Sequence, residues 1–353
     1  MFRNQTWFSK SMIRIRNHKL SSLRSLWLLA LLLTLTLGSI PAAAQYNAYV
    51  VENGSNSVWV INTMTKQVVA VIPVQFSPYG IAMTPNGAFA YVTNSGIICD
   101  PHVPYCPLTQ SGSVSVIDTS TYNVVTTFPV GQYPTGVAVT PNGSFSYVVN
   151  FNSNTVSVIN TATNTVTATV GVGIEPLFVA ITPNGAFAYV TDYASNDVSV
   201  IQTSTNRVVG TVPMVSNPWG VAITPNGALA YVTNPRSNDV SVIDIAGGAP
   251  RVVATVRVGC GPTGVAVTPN GTFTYVTNSC DSTVSVINTA TNAVVATVAV
   301  GPDPQNIAIT PDGFFAYTSN FMTGSLSVID TATNRVVDTI QAAGKEPLGI
   351  AIR

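Results

Sequence analysis

The chain has 353 residues, of which 46% are hydrophobic and only 8% are charged, whereas soluble domains usually carry roughly 25% charged residues. Thr, Ser and Asn supply the polarity instead, and these residues favour strands and tight turns, so the composition argues for an all-β protein and against a helical one. Six of the fourteen Lys and Arg lie in the first 24 residues, which leaves residues 45–353 with a formal charge of −6. We therefore expect no nucleic-acid partner, because phosphate-backbone binding needs a clustered basic surface.

The first 44 residues are typical of a secretory signal peptide. A basic stretch is followed by the apolar run from Leu26 to Leu37 and by Ala42-Ala43-Ala44, which fits a small-residue cleavage site. The apolar run is short for a bilayer span. We predict a signal peptide at residues 1–44 and a secreted, periplasmic or cell-surface protein with no membrane span after its removal. The alternatives are an uncleaved anchor and translation from Met12.

A repeat of about 42 residues follows. The turn Thr-Pro-Asn-Gly begins at Thr84, Thr140, Thr182, Thr224 and Thr268, with Thr310-Pro311-Asp312-Gly313 as a sixth copy, so the spacings are 56, 42, 42, 44 and 42 residues. In the unit that starts at Pro262, short strands flank this turn, and two further strands flank a second turn near Thr291. Four strands per unit of about 40 residues is the pattern of a β-propeller blade.

The two ends of the repeat region predict a closed ring. Residues 48–51 match the second strand of the unit, and residues 348–352 match the first strand. The last strand would therefore complete the blade that the first three strands begin, which removes exposed edges. Seven tyrosines mark the second strands, so we predict one all-β domain at residues 45–353, a seven-bladed propeller. They are Tyr49, Tyr91, Tyr147, Tyr189, Tyr231, Tyr275 and Tyr317.

These second strands carry a short motif. Tyr-Val-Thr-Asn begins at Tyr91, Tyr231 and Tyr275, and four other copies depart from it by one or more residues. The chain resembles the YVTN family of β-propeller repeat proteins, which implies the same fold and a bacterial or archaeal surface or periplasmic location. We interpret the motif as structural: Tyr and Thr pack between blades, and Asn closes the strand by bonding local backbone.

Side chains that vary between blades point to one face of the propeller as the functional surface. Each loop between blades carries an x-Pro-x element, and we expect the residues that flank these prolines to ring the mouth of the central channel. The candidates for ligand contact are Tyr79, Tyr133, Glu175, Trp219, Asp303 and Glu346. They would suit a polar or cationic ligand; the alternative is a solvated rim without a ligand.

The spacing of the turns places an insertion at about residues 95–112. It contains Cys99, His102 and Cys106, and two further cysteines, Cys260 and Cys280, fall in one later unit. In an exported protein four cysteines imply disulfides. Three pairings are open, of which we favour Cys99 with Cys106 and Cys260 with Cys280, as staples of surface loops.

The sequence favours a non-catalytic, monomeric binding or scaffold protein whose ligand is a protein, a glycan or a small polar or cationic molecule. With only His102 after the signal, a Ser-His-Asp triad or a multi-histidine metal site is not indicated. The alternative is a lactonase-like propeller hydrolase that uses carboxylates such as Glu175, Asp303 and Glu346. No cofactor is indicated, although carboxylates would suit Ca²⁺ or Mg²⁺ in that alternative.

Overall fold

A computed structural model describes residues 45–96, 111–341, 344 and 346–353, and residues 45–353 form one compact unit. The predicted signal peptide lies outside the described residues, as do Cys99, His102 and Cys106. Within the described part of the chain, no helix is long and apolar enough to cross a membrane.

In the described part of the chain, twenty-eight strands form seven antiparallel sheets of four strands each, which confirms the predicted propeller. We number the blades in the order in which their inner strands occur. Blades 1 to 3 comprise β4 Pro78–Met83, β5 Phe89–Asn94, β6 Ser111–Asp118 and β7 Asn123–Gln132; β8 Pro134–Val139, β9 Phe145–Asn150, β10 Thr155–Asn160 and β11 Thr165–Gly171; and β12 Pro176–Ile181, β13 Phe187–Asp192, β14 Asp197–Gln202 and β15 Arg207–Pro213.

Blades 4 to 6 repeat this order, and blade 7 draws on both ends of the chain. Blades 4 to 6 comprise β16 Val221–Ile223, β17 Leu229–Asn234, β18 Asp239–Asp244 and β19 Arg251–Arg257; β20 Pro262–Val267, β21 Phe273–Asn278, β22 Thr283–Asn288 and β23 Ala293–Ala299; and β24 Pro304–Ile309, β25 Phe315–Asn320, β26 Ser325–Asp330 and β27 Arg335–Ile340. Blade 7 comprises β28 Pro347–Ile352, β1 Asn47–Glu52, β2 Ser57–Asn62 and β3 Val68–Pro73. A 3₁₀ turn at Phe321–Thr323 also occurs among the described residues.

The seventh blade closes the ring as predicted. Strand β28 pairs antiparallel with β1, with Ala48 opposite Ile352 and Tyr49 opposite Ala351. The inner strands then contact one another in cyclic order, from β4 through β8, β12, β16, β20 and β24 to β28 and back to β4. Pairing the two ends of the chain removes the free inner edge that an open array of blades would expose.

The Thr-Pro-Asn-Gly turns join the first and second strands through side-chain hydrogen bonds. In blade 1 the Thr84 hydroxyl donates to Asn86 Oδ1 (2.7 Å) and accepts from the Phe89 amide (3.0 Å). Gly87 adopts a φ of 73°, a left-handed conformation that glycine accepts without steric cost. The repeat of this turn sequence therefore fixes one face of the ring as a set of nearly identical turns.

The tyrosine of the motif lies between blades, as the sequence predicts. All seven second-strand tyrosines are buried. The Tyr91 hydroxyl donates to Asn164 Oδ1 in the next blade (2.6 Å), and Tyr231 donates to Asn292 in the same way (2.9 Å). Where such a bond forms, the tyrosine adds a directional contact to the apolar packing between neighbouring blades.

The threonine of the motif joins the inner strands. Thr233 Oγ1 accepts from the Gly220 amide of its own blade (2.8 Å) and donates to the Thr263 carbonyl of the next blade (2.7 Å). Gly220 allows this close approach, because a Cβ atom there would lie 2.5 Å from the Thr263 carbonyl oxygen. The threonine hydroxyl therefore bonds two adjacent blades at the wall of the channel.

The asparagine that ends the motif makes different bonds from those predicted. Asn94 Nδ2 donates to Ser113 Oγ (3.1 Å) and Ser115 Oγ (3.0 Å), side chains of the third strand. Asn150 makes the equivalent side-chain bonds and also accepts from the Gly131 amide of the preceding blade (3.1 Å). The prediction of local backbone bonding is thus wrong for the amide nitrogen, because the third strand supplies hydroxyls at that position.

Candidate functional site

The seven inner strands enclose a cavity of about 150 Å³ on the axis of the ring. At the third position of each inner strand, five blades have glycine, where a side chain would collide with the next inner strand. Blades 3 and 6 have Phe178 and Asn306 at this position, and both side chains line the cavity. The channel is therefore narrow, and its wall differs at blades 3 and 6, which contribute a side chain where the other blades have glycine.

The residue before each inner-strand proline has a special backbone conformation. In six of seven blades the φ of this residue lies between 50° and 63°. Its carbonyl oxygen accepts a hydrogen bond from a backbone amide in the loop after the second strand. The six residues are Ser77, Tyr133, Glu175, Gly261, Asp303 and Glu346. Since the same conformation recurs around the ring, it belongs to the architecture and does not by itself mark a catalytic residue.

Aromatic side chains gather on one side of the channel mouth. The Tyr79 ring lies 6.1 Å from the Phe178 ring, centroid to centroid, and Tyr133 packs on Phe151 at 5.5 Å. Burial, followed by the neighbouring Tyr133, raises the pKa of the Tyr79 hydroxyl, and burial raises that of Tyr133. The structure thus brings together the two predicted tyrosines and adds two phenylalanines as apolar surface.

Blade 4 departs from the repeat in the segment that leads into its inner strand. Pro235 follows the second strand and has no amide hydrogen, so the usual bond to the carbonyl before the inner-strand proline cannot form. Asn217 accordingly lacks the left-handed φ, and β16 begins only at Val221. The Trp219 amide instead donates to the Thr233 carbonyl (2.8 Å). The missing amide hydrogen of Pro235 therefore accounts for the different backbone conformation of the segment that carries Trp219.

Five residues at this segment form what we call the Trp219 cluster: Glu175, Tyr193, Asn217, Trp219 and Arg236. The Trp219 and Tyr193 rings meet edge to face at 5.8 Å, and the Arg236 guanidinium lies over the Tyr193 ring at 5.8 Å. Asn217 Nδ2 donates to the Tyr193 carbonyl (2.8 Å), and the Tyr193 amide donates to the Glu175 carbonyl (3.1 Å). An aromatic face, a cation and a carboxylate-bearing residue are thereby joined through one short network.

The three predicted carboxylates do not converge. The Asp303 carboxylate accepts a hydrogen bond from the neighbouring Gln305 amide, and Glu175 and Glu346 belong to blades 3 and 7. Among the described residues, no three His, Cys, Asp or Glu side chains are grouped so that they would hold a metal ion. Of these acids, Glu175 alone belongs to the Trp219 cluster.

A buried acid lies next to this cluster in the chain. Asp192 immediately precedes Tyr193 and is fully buried, and its Oδ2 accepts from Ser199 Oγ (2.6 Å) and the Ser199 amide (3.1 Å). Burial and then the nearby Asp197 raise the pKa of Asp192 to about 7. Because its side chain has no exposed surface, Asp192 supports the loop and is not placed to touch a ligand.

Cys260 and Cys280 lie side by side as free thiols. The predicted bridge between them is therefore not formed in the structure, although the Cys280 amide donates to the Cys260 carbonyl (3.3 Å) and holds the two segments together. The Cys280 thiol beside it raises the pKa of Cys260.

Sequence reasoning missed Phe151, Phe178, Tyr193 and Arg236. Phe151 and Tyr193 are the first residues after the second strand, and Phe178 occupies the inner-strand position that is glycine in most blades. Alignment of the seven repeats would have identified these positions, because their residues differ between blades.

Comparisons with known proteins agree with this architecture. Residues 173–352 match the family model described as lactonase, 7-bladed beta-propeller. The uncharacterized protein YncE of Salmonella typhimurium is 31% identical over 105 residues, which is 30% of this chain and 26% of that protein. The chain thus spans about a quarter of the length of this curated relative.

Solved structures share the fold at low identity. The periplasmic gluconolactonase of Pseudomonas aeruginosa has a TM-score of 0.71 at 18% identity, with 88% of this chain and 99% of that chain covered. A protein of unknown function from Desulfotomaculum acetoxidans has a TM-score of 0.74 at 18% identity, with 87% and 98% covered. Kuenenia stuttgartiensis hydrazine synthase has a TM-score of 0.71 at 24% identity, with 80% and 92% covered.

At these identities the solved structures show the fold alone, whereas the family model matches more than half of the chain. The chain belongs to the lactonase family of seven-bladed β-propellers.

Proposed function

We propose that this protein is a propeller hydrolase that opens a small cyclic ester at the channel mouth, with the Trp219 cluster as its site. The observation that carries the proposal is the cluster itself: in a chain of the lactonase family, the Glu175 backbone carbonyl accepts a hydrogen bond from Tyr193, whose ring contacts Trp219 and Arg236. A lactone is uncharged and its ester group is planar, which suits packing against Trp219.

The cluster contains the residue types that the proposed ester hydrolysis would use. The Glu175 carboxylate would take a proton from water while the water oxygen bonds to the ester carbonyl carbon. The ring C–O bond then breaks, and the proton passes to the departing alkoxide, which leaves an open-chain hydroxy acid. Arg236 is the cation of the cluster and suits the negative charge that develops on the carbonyl oxygen.

A second candidate is the binding or scaffold role without turnover. It is supported by the aromatic rings and the exposed guanidinium of the cluster, which suit ligand binding without a catalytic step. The Trp219 cluster would then bind a glycan or a small polar molecule through ring stacking and the Arg236 guanidinium. In that case a ligand would stabilise the protein, but no lactone would be hydrolysed to its hydroxy acid.

The experiment that separates the two is an acid-release assay of residues 45–353 with glucono-δ-lactone and γ-butyrolactone, with EDTA and with added Ca²⁺ or Mg²⁺. Hydrolysis above the spontaneous rate supports the enzyme. A ligand-induced rise in Tm without acid release supports the binding protein.

We also propose a placement in the YVTN repeat group and export with loss of residues 1–44. The Tyr-Val-Thr-Asn motifs support the first and the basic and apolar order of the leader supports the second. Sequencing of the N-terminus of the native protein tests export, since a mature chain should begin at Gln45.

A further inference from the structure

A second cavity lies between blades 3 and 4, and none of its lining residues belongs to the channel mouth. It has a volume of about 90 Å³ and is lined by Tyr189, by the outer strand of blade 3 and by the turn at Ile245–Pro250 of blade 4. A more open groove of about 460 Å³ adjoins it and shares Phe187, Ile245 and Gly248 with it.

At four other blade interfaces an asparagine occupies the corresponding position. The hydroxyls of Tyr91, Tyr147, Tyr231 and Tyr275 donate to Asn164, Asn206, Asn292 and Asn334 of the next blade, at 2.6 to 2.9 Å. Each asparagine sits in the turn between the third and fourth strands, with φ between 50° and 53°.

Blade 4 has no such asparagine. Six residues separate the paired Asp244 and Arg251, whereas four separate Asn160 and Thr165 in blade 2. The left-handed position is taken by Gly248, with φ of 75°. Tyr189 is 2% exposed, and its hydroxyl has no hydrogen-bond partner among the described residues. Tyr189 therefore lines a cavity at the position where its counterparts meet an amide oxygen.

Two more departures make the cavity apolar and open. Ile245 replaces a threonine, such as Thr161 or Thr203, whose hydroxyl donates to the glycine carbonyl of the Thr-Pro-Asn-Gly turn. Gly210 stands where Ala168 lies in blade 2, and a Cβ atom built on Gly210 would meet no atom within 4 Å. Both changes occur in the two blades that border the cavity.

The lining defines the chemistry of an occupant. No lining residue of the cavity is charged, and the side chains are chiefly valine, isoleucine, proline and aromatic rings. Burial raises the pKa of Tyr189 to about 12, so its hydroxyl remains a donor at neutral pH. The cavity alone is smaller than the roughly 150 Å³ site that admits benzene, and the adjoining groove supplies further space.

We propose that this cavity binds a small uncharged organic molecule with an apolar ring or short chain and one carbonyl or ether oxygen, which accepts a hydrogen bond from Tyr189. The apolar part would pack against the outer strand of blade 3 and against Ile245. The site is independent of lactone hydrolysis at the Trp219 cluster.

Two matched probes, followed by ¹⁹F NMR line broadening, test the proposal: 4-fluoroacetophenone and 1-ethyl-4-fluorobenzene, which lacks the oxygen. The proposal predicts that the ketone binds about fivefold more tightly, as expected for one net hydrogen bond. Tyr189→Phe should abolish this preference. Tyr231→Phe is the control, because Tyr231 already bonds Asn292, and it should leave both affinities unchanged.

Gly248→Asn should place an amide oxygen against Tyr189 and weaken both probes at least tenfold. Its left-handed φ is one that asparagine adopts in the other blades, so this variant decides the question if Tyr189→Phe fails to fold. Lactone hydrolysis should be unaffected. Absence of binding at millimolar probe, equal affinity of the two probes for the unmodified protein, or unchanged binding by Gly248→Asn would each overturn the proposal.

Discussion

Asp192 faces Asp197 across the end of the β13–β14 hairpin, where the next blade places Asn234 against Asp239. The two acids are paired in the strand register, as are Asn234 and Asp239. In blade 4 the amide of Asn234 donates to Asp239 Oδ1 (2.7 Å). In blade 3 a buried carboxyl replaces that donor, so a good bond between the pair requires that Asp192 retain its proton.

The first prediction concerns stability against pH. The pKa of Asp192 is raised to about 7 from 3.8, so the folded state holds its proton more tightly than the unfolded state does. The contribution of Asp192 to the free energy of unfolding is therefore fully present below about pH 4 and is lost as the pH rises through 7. Asp192→Asn should remove this loss and raise the free energy of unfolding at pH 8 by about 1 to 3 kcal/mol.

Urea unfolding of Asp192→Asn at pH 5 and pH 8 measures this effect. The reciprocal variant, Asn234→Asp, is the matched control and should introduce the same pH dependence into blade 4. If the unmodified protein lost no stability relative to Asp192→Asn between these two pH values, the account of the pair would be wrong.

The second prediction concerns the threonine that bonds adjacent inner strands. Thr233→Val removes the acceptor for the buried Gly220 amide and the donor to Thr263, so it should lower the free energy of unfolding by about 1 to 3 kcal/mol. Thr233→Ser keeps the hydroxyl and should cost much less, since Ser319 bonds the Leu348 carbonyl naturally (2.8 Å). Equal losses in urea unfolding would show that the methyl group matters and the bond does not.

The fold could be predicted from the sequence because every repeat has the same local sequence pattern. Turn residues, alternating apolar strands and matching ends were enough to predict seven blades and the closing strand. The site did not follow in the same way. The Trp219 cluster arises because Pro235 lacks an amide hydrogen, and its effect on Asn217 depends on a bond between two distant loops. Blade 2 is a second case in which the sequence motif alone does not reveal the contact. Val149 replaces the motif threonine, and the Thr135 hydroxyl donates to the Leu177 carbonyl instead (2.7 Å).

The third prediction concerns ring closure. Deletion of residues 344–353 removes β28, which pairs with β1 and contacts both β24 and β4. The deletion should expose the apolar inner face of blade 7 and lower the Tm by more than 10 °C, or prevent folding altogether. An unchanged Tm in differential scanning calorimetry would contradict closure by the terminal strand.

The fourth prediction concerns the neighbouring cysteines. Cys260 and Cys280 are free and adjacent, so an oxidising compartment should join them by a disulfide. Mass spectrometry after alkylation without reductant should find neither residue modified in the exported protein, and Cys280→Ser should leave Cys260 reactive. Full alkylation of both residues in the exported protein would rule the bridge out.

The most direct test of the account compares two carboxylates of the channel mouth in the lactone acid-release assay. Glu175→Gln keeps the shape of the Trp219 cluster but removes the proton acceptor, and it should lower kcat by at least 100-fold with little change in KM. Asp303→Asn is the matched control, because Asp303 lies in blade 6 and already accepts a bond from Gln305; it should retain activity within about twofold. Loss of activity in Glu175→Gln alone is the predicted result. Equal activity of the two variants, or hydrolysis that survives Glu175→Gln, would contradict the assignment of the site.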